Sequence, residues 1–289
     1  MKEQASHYWR RLARRLADQR PFLTLVLLCM LYTAIVAWLE KAFFPEKSVL
    51  EMESAVFNGL VFGLLLAFRT NTAYDRWWEG RKLWGQLVND TRNLSLKVRA
   101  MVRGSPVELA HFGKHLTGFA EALKDHLRSM GHRKKAGQQP LHQPAQLVQL
   151  ILQDLRRWEA QGVISQLQML MLDPHVRSLM DICGACERIR STPLASSYRF
   201  FLRQGIGLYL FTLPWFVARQ LGYWSVLQVG LVSYFMIGLE MLAEDIEEPF
   251  GHDRDDLRLE NICQTIANSV HDILADEDAS APMSLAPEA

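Results

Sequence analysis

The sequence predicts an all-α membrane protein in which four transmembrane helices per subunit continue into a helical cytoplasmic domain. Four windows, Pro21–Leu39, Ser54–Phe68, Gln204–Ala218 and Gln220–Leu239, hold almost no charge. Each approaches the roughly 17–25 residues a helix needs to cross hydrocarbon, and long flanking side chains such as Arg69, Arg203 and Arg219 extend the shorter windows by reaching the headgroups. Elsewhere apolar residues recur three and four apart, with no alternating β-branched runs, so the remainder also reads as helix.

Residues 1–20 form a basic amphipathic arm: Arg10, Arg11, Arg14, Arg15 and Arg20 face away from Trp9, Leu12, Ala13 and Leu16. An arm of this kind lies on the inner leaflet and places the N-terminus in the cytoplasm. No A-x-A cleavage site follows, so the first window reads as a retained span. Residues 21–68 then hold the first two spans and an outer loop, Glu40 to Glu53, which carries Glu40, Glu46, Glu51 and Glu53 against Lys41 and Lys47.

Residues 69–203 read as a helical cytoplasmic domain. One long helix is expected from Arg69 to Met101, ended by Gly104, Ser105 and Pro106. A second runs from Val107 to about Met130, and an exposed loop follows around GHRKKAGQQPLHQPAQ. Leu147, Leu150, Ile151, Leu155 and Trp158 mark an amphipathic helix, Pro174 opens another that reaches Ile189, and Pro193 ends the block. Residues 204–242 form the third and fourth spans as a hairpin around Arg219 to Tyr223, and residues 243–275 return as a cytoplasmic helical segment with a stripe of Leu259, Ile262, Cys263, Ile266, Ala267, Val270 and Ile273. The tail, 276–289, lacks apolar mass and is expected to be disordered. Both termini are then cytoplasmic in a multi-pass protein of the cell membrane.

Net charge is +1, which argues against a nucleic-acid partner. No G-x-x-x-x-G-K-S/T, G-x-S-x-G or H-E-x-x-H occurs, so no enzyme is expected. Cys183 and Cys186 form a lone C-x-x-C in helical context, read as two small residues on one helix rather than a redox pair or half a zinc site. Glu108, His111 and His115 have ligand-compatible spacing but read as polar residues facing water. No catalytic residue, metal or cofactor is assigned.

The second span is more informative. Gly59, Gly63 and Ala67 form a small-xxx-small stripe that allows close helix approach. Beside it Leu60, Leu64 and Phe68 form a large apolar stripe. Several copies around an axis would present apolar rings topped by glutamates, Glu53 with Glu51 at the outer mouth, which is the pattern of a charged entrance over a dewetting constriction. Below the span, Arg69 marks the membrane edge, and Tyr74, Trp77, Trp78 and Trp84 supply an aromatic layer. Arg76, Glu79 and Lys82 pair locally on a helix that continues into the cytosol.

The run GLLLAFRTNTAYDRWWEGRKLWG resembles the signature of the bacterial branch of the bestrophins, and EEPFGHDRDDL is similar to that family's Asn-Pro-Phe-Gly-acidic motif. The resemblance implies a homopentamer around one axial pore, a passive ion channel whose hydrophobic neck is Leu60, Leu64 and Phe68. It also implies a second narrowing at the cytosolic exit, for which no residue near Ser178 to Met180 is assigned. Asp253 and Asp256 match acidic positions of the eukaryotic calcium clasp, here degenerate: Arg254 interrupts the run and Glu248 replaces the asparagine, so calcium is not expected to bind. Leu64 stands where eukaryotic necks carry an aromatic ring, and glutamates ring the mouth. The expected permeant ions are therefore monovalent cations such as Na+, the alternatives being a chloride channel of the same architecture or a non-conducting scaffold or sensor. The other expected partners are the lipid bilayer and further copies of the chain.

Overall fold

The computed structural model describes residues 20–43, 52–136, 142–253 and 255–275, with the side chains of 52–54 and 131–136 left aside. The basic arm before Arg20, most of the outer loop including Glu51, the side chain of Glu53, Arg254 and the tail lie outside the described residues. Those described form eight α-helices: α1 (Arg20–Phe43), α2 (Met52–Met101), α3 (Pro106–Ala136), α4 (Gln143–Ala160), α5 (Gln166–Ser191), α6 (Ser196–Leu221), α7 (Trp224–Glu247) and α8 (Leu259–Ala275). Four of them, α1, α2, α6 and α7, are long and apolar enough to cross a membrane. The chain divides into two compact units, one of residues 1–75 and 194–247, the other of 76–193 and 248–289, and the boundary falls within α2.

In the first unit α1 packs on α6 and α7, and the start of α2 packs on α6. Where helices meet, glycine admits a large ring: a Cβ on Gly59 would stand 2.5 Å from the Tyr209 hydroxyl, and one on Gly205 would stand 2.5 Å from the Phe62 ring. Tyr209 uses this approach to donate from its hydroxyl to the Ala55 carbonyl at 3.2 Å. The α6–α7 hairpin turns at Gly222, whose φ of 52° no β-carbon tolerates comfortably. Pro214 lies inside α6. Nearby, Tyr32 of α1 donates to the Phe211 carbonyl at 3.1 Å and accepts from the Trp215 indole at 2.8 Å, tying α1 to α6.

The second unit is built on an apolar core that includes Trp84, Phe112, Phe119, Trp158, Leu179 and Phe250. Pro249 and Phe250 insert at Gly80, where the Phe250 ring lies 3.1 Å from the position a Cβ would take. The α8 stripe is buried at Leu259, Cys263, Ile266 and Val270 and extends to Leu274.

Several expected boundaries move. Helix α3 continues to Ala136 and α4 starts at Gln143, so the exposed loop between them is shorter than its composition implied. Pro174 does not open α5. The helix starts eight residues earlier, behind a capping box in which Ser165 accepts from the Gln168 N–H and Gln168 accepts from the Ser165 N–H; that S-x-x-Q was the start signal in the sequence. Glu40 lies within α1 rather than in the outer loop. Trp84 is fully buried in the second unit's core and is no part of an interfacial aromatic layer. Glu79 reaches Arg188 at 2.8 Å across the unit, and Arg76 donates to the Ile189 and Thr192 carbonyls, both at 2.6 Å, so these charges also have tertiary partners that the local pattern did not indicate.

Candidate pore-lining helix

Between Met52 and Asp75 α2 has two faces. Ala55, Phe62, Leu66, Arg69 and Ala73 fall on one side and pack within the first unit. Leu60, Leu64 and Phe68 lie roughly half a turn away at 100° per residue, exposed to 70%, 56% and 57%. Phe57 joins them, also exposed, and Asn71 and Asp75 continue the face as polar, exposed residues. The predicted stripe is therefore one continuous apolar strip with no partner helix among the described residues. The small-residue stripe is used only at Gly59, because Gly63 has nothing within 4 Å of its absent Cβ and Ala67 is exposed.

A charge cluster missed in the sequence fixes the end of this helix segment. Arg69 does not extend to the headgroups: its side chain is fully buried, with Nε 2.9 Å from Glu240 Oε2 and Nη2 3.1 Å from Glu247 Oε2. Arg203 bridges Glu240 Oε1 at 3.0 Å and Glu244 Oε2 at 2.6 Å. The Leu194 N–H donates to Glu247 Oε1 at 3.0 Å. Both oxygens of Glu240 and of Glu247 are thus satisfied, which is the condition under which buried charge is tolerated. Arg219 likewise pairs with Glu40 of α1 at 2.6 Å, so this arginine too has a carboxylate partner within the unit. The overlooked signal was the spacing of Glu240, Glu244 and Glu247, which lie four and three apart on one face directly after an apolar run.

The degenerate clasp positions do not converge. Asp253 is exposed, while Asp256 is buried and accepts its neighbour's backbone, Asp253 N–H to Asp256 Oδ2 at 2.6 Å. Burial pushes the Asp256 carboxyl up to about 6, against the lowering effect of that bond. Its Oδ1 is buried without a hydrogen-bond partner. One carboxylate faces solvent and the other turns to a backbone N–H, so the two do not form a shared set approaching the roughly six to eight oxygens calcium takes. The thiols of Cys183 and Cys186 are buried; burial pushes Cys183 up to about 12 and Cys186 higher still, the opposite of a reactive pair. Glu108 turns back to cap α3 through Ser105 at 2.9 Å, and the partner of His115 is Asp154 at 2.8 Å.

An all-helical chain with four such helices, two of them tied to α2 and α1 by buried ion pairs, is a multi-pass membrane protein. Residues 19–272 match the sequence profile described as Bacterial/Fungal Bestrophin protein, and the chain belongs to that family. A voltage-dependent anion channel-forming protein of Synechocystis sp. is 36% identical over 86% of this chain and 85% of its own length. The voltage-dependent anion channel-forming protein YneE of Escherichia coli is 30% identical over 80% of this chain and 78% of its own. The fold matches a bacterial bestrophin homologue from Klebsiella pneumoniae with a TM-score of 0.80, at 22% identity, over 88% of this chain and 98% of the other. The expectation of a non-enzymatic, bestrophin-type protein agrees with this family.

Proposed function

We propose that this chain is the subunit of a passive ion channel, assembled as a homopentamer around one axial pore, with Leu60, Leu64 and Phe68 lining a hydrophobic neck. The observation that carries this reading is the uninterrupted apolar strip on the side of α2 opposite its packed face. Asn71 and Asp75 follow on that face, so the strip gives way to polar surface, as a constriction opening into a wetter vestibule requires. Glu53 and Glu51 form the outer mouth, and both termini lie on the cytoplasmic side of the cell membrane.

The expectation of cation selectivity finds no support in the relatives, whose names specify anion channels; the reading adopted is anion conduction, chloride included. A neck without polar ligands makes an ion shed water uncompensated, and the Born cost of that loss falls as ionic radius grows. Chloride therefore crosses such a ring more readily than sodium. The mouth glutamates oppose anion entry and so limit the current. In planar bilayers under a NaCl gradient the current should reverse near the chloride equilibrium potential, and Glu53→Gln should raise the anion current. Reversal near the sodium potential would restore the cation reading, and the absence of current would remove the channel.

A further inference from the structure

The second unit holds a side-chain cluster that conduction through α2 does not use. His126 on α3, His142 at the start of α4 and Glu187 on α5 converge. His126 Nε2 lies 2.7 Å, and His142 Nε2 2.8 Å, from the same Glu187 Oε1, and the three ligand atoms lie within 4.8 Å of one another. Cys183 stands one helical turn before Glu187, on the same face of α5, with its Sγ 3.7 Å from that oxygen. We propose that His126, His142, Glu187 and Cys183 form a binding site for a zinc-like divalent cation.

Two imidazole nitrogens, one carboxylate oxygen and one thiolate are donors that Zn2+ accepts at about 2.0–2.3 Å in tetrahedral geometry. Three donors converge and Cys183 lies beside Glu187 as the nearest fourth, so a bound ion would join α3, α4 and α5. Among the described residues Glu187 pairs with no lysine or arginine, only with the two rings. His126 is 10% exposed and shields the site, whereas His142, at 38%, leaves a way in. The other histidine cluster, His111, His115 and Asp154, lacks these properties: the Arg157 guanidinium already sits 3.6 Å from Asp154 Oδ1, and His111 is more than half exposed.

Proton accounting is explicit at His142. Its Nδ1 accepts the Ala145 N–H at 3.1 Å, so the neutral ring carries its proton on Nε2 and donates it to Glu187. Coordination through Nε2 moves that proton to Nδ1 and releases the Ala145 N–H; His126, whose Nε2 faces the same oxygen, likewise shifts its proton to Nδ1, and the Cys183 thiol proton passes to solvent. No electron is transferred. Cation binding is thereby coupled to the first turn of α4. Nothing in the sequence led to this cluster: the C-x-x-C read as two small residues on one helix, and the His126, His142 and Glu187 positions are 16 and 45 residues apart along the chain.

The test uses the full-length protein in detergent, stripped with chelator and titrated with Zn2+ alone, the bound metal being counted by elemental analysis. Cobalt(II) serves as a spectroscopic substitute. One equivalent per chain is expected, with the intense visible bands of tetrahedral cobalt and a sulfur-to-cobalt charge-transfer band. Cys183→Ser should lose the charge-transfer band, Glu187→Gln and His126→Asn should lose the equivalent, and His111→Asn should lose neither. Weak octahedral cobalt bands in the wild-type protein, or binding and spectra unchanged in Cys183→Ser and Glu187→Gln, would overturn the site, and the wild-type spectrum decides even where a variant does not fold. Because the readout is bound metal, it is independent of whether the chain conducts.

Discussion

Asp256 is a buried carboxyl with one oxygen committed to the Asp253 N–H and the other unpartnered. Its folded value of about 6 stands above the ordinary 3.8, so the protonated form is the one the fold favours. A raised acid contributes stability that is complete below the unfolded value and is lost as pH rises through the folded value. The protein should therefore become easier to unfold in denaturant as pH climbs from 3.8 to about 6, and Asp256→Asn, which keeps the accepting oxygen and cannot ionise, should flatten that part of the profile. At this scale the sequence was a partial guide. Leu60, Leu64 and Phe68 could be read as one strip because helical periodicity is local. The partners of Arg69 could not, because Glu240 and Glu247 are 171 and 178 residues away. Sequence spacing offered Glu108 as the companion of His111 and His115; the fold brings Asp154 from a different helix and occupies Glu108 at a helix start.

At the scale of elements, the four spans and the long α2 were legible because bilayer thickness sets a length that composition reveals directly. Helix starts were less so: Pro174 is a conspicuous letter, yet the Ser165 and Gln168 capping box starts α5, since a proline ring within a helix costs less when tertiary packing holds both flanks. What locks α2 against α7 is the Arg69 cluster. Arg69→Ala leaves Glu240 and Glu247 buried with one cation fewer, and removing one partner of a buried pair costs about 3–5 kcal/mol. Thermal unfolding in detergent should show this as a large loss, partly restored when Glu247→Gln is added, because the second substitution removes a buried charge that Arg199 at 4.0 Å offsets less closely than Arg69 did. The loss should exceed that of Arg188→Ala, whose ion pair with Glu79 is exposed and of the kind worth about 0–1 kcal/mol.

For the whole molecule, the proposal that five copies surround a pore makes each neck residue count five times. Leu64→Ala should widen the middle ring and lower its dewetting barrier, so single-channel conductance rises while the oligomer, measured by mass in detergent, stays the same. The proposed oligomeric state rests on the resemblance, since periodicity exposes a face without saying what it meets. Selectivity was the least legible property, because mouth charge and neck hydration act in opposite senses. Phe68 and Arg69 are consecutive, one on the open strip and the other in a fully buried ion-pair cluster. Rotation of α2 that swept Phe68 off the strip would drag its neighbour away from both glutamates, and the energy of that separation resists every such turn. In the proposed channel the neck would therefore be indexed like a keyed shaft, with flow set by whether the ring is wet and not by which way the helix has turned.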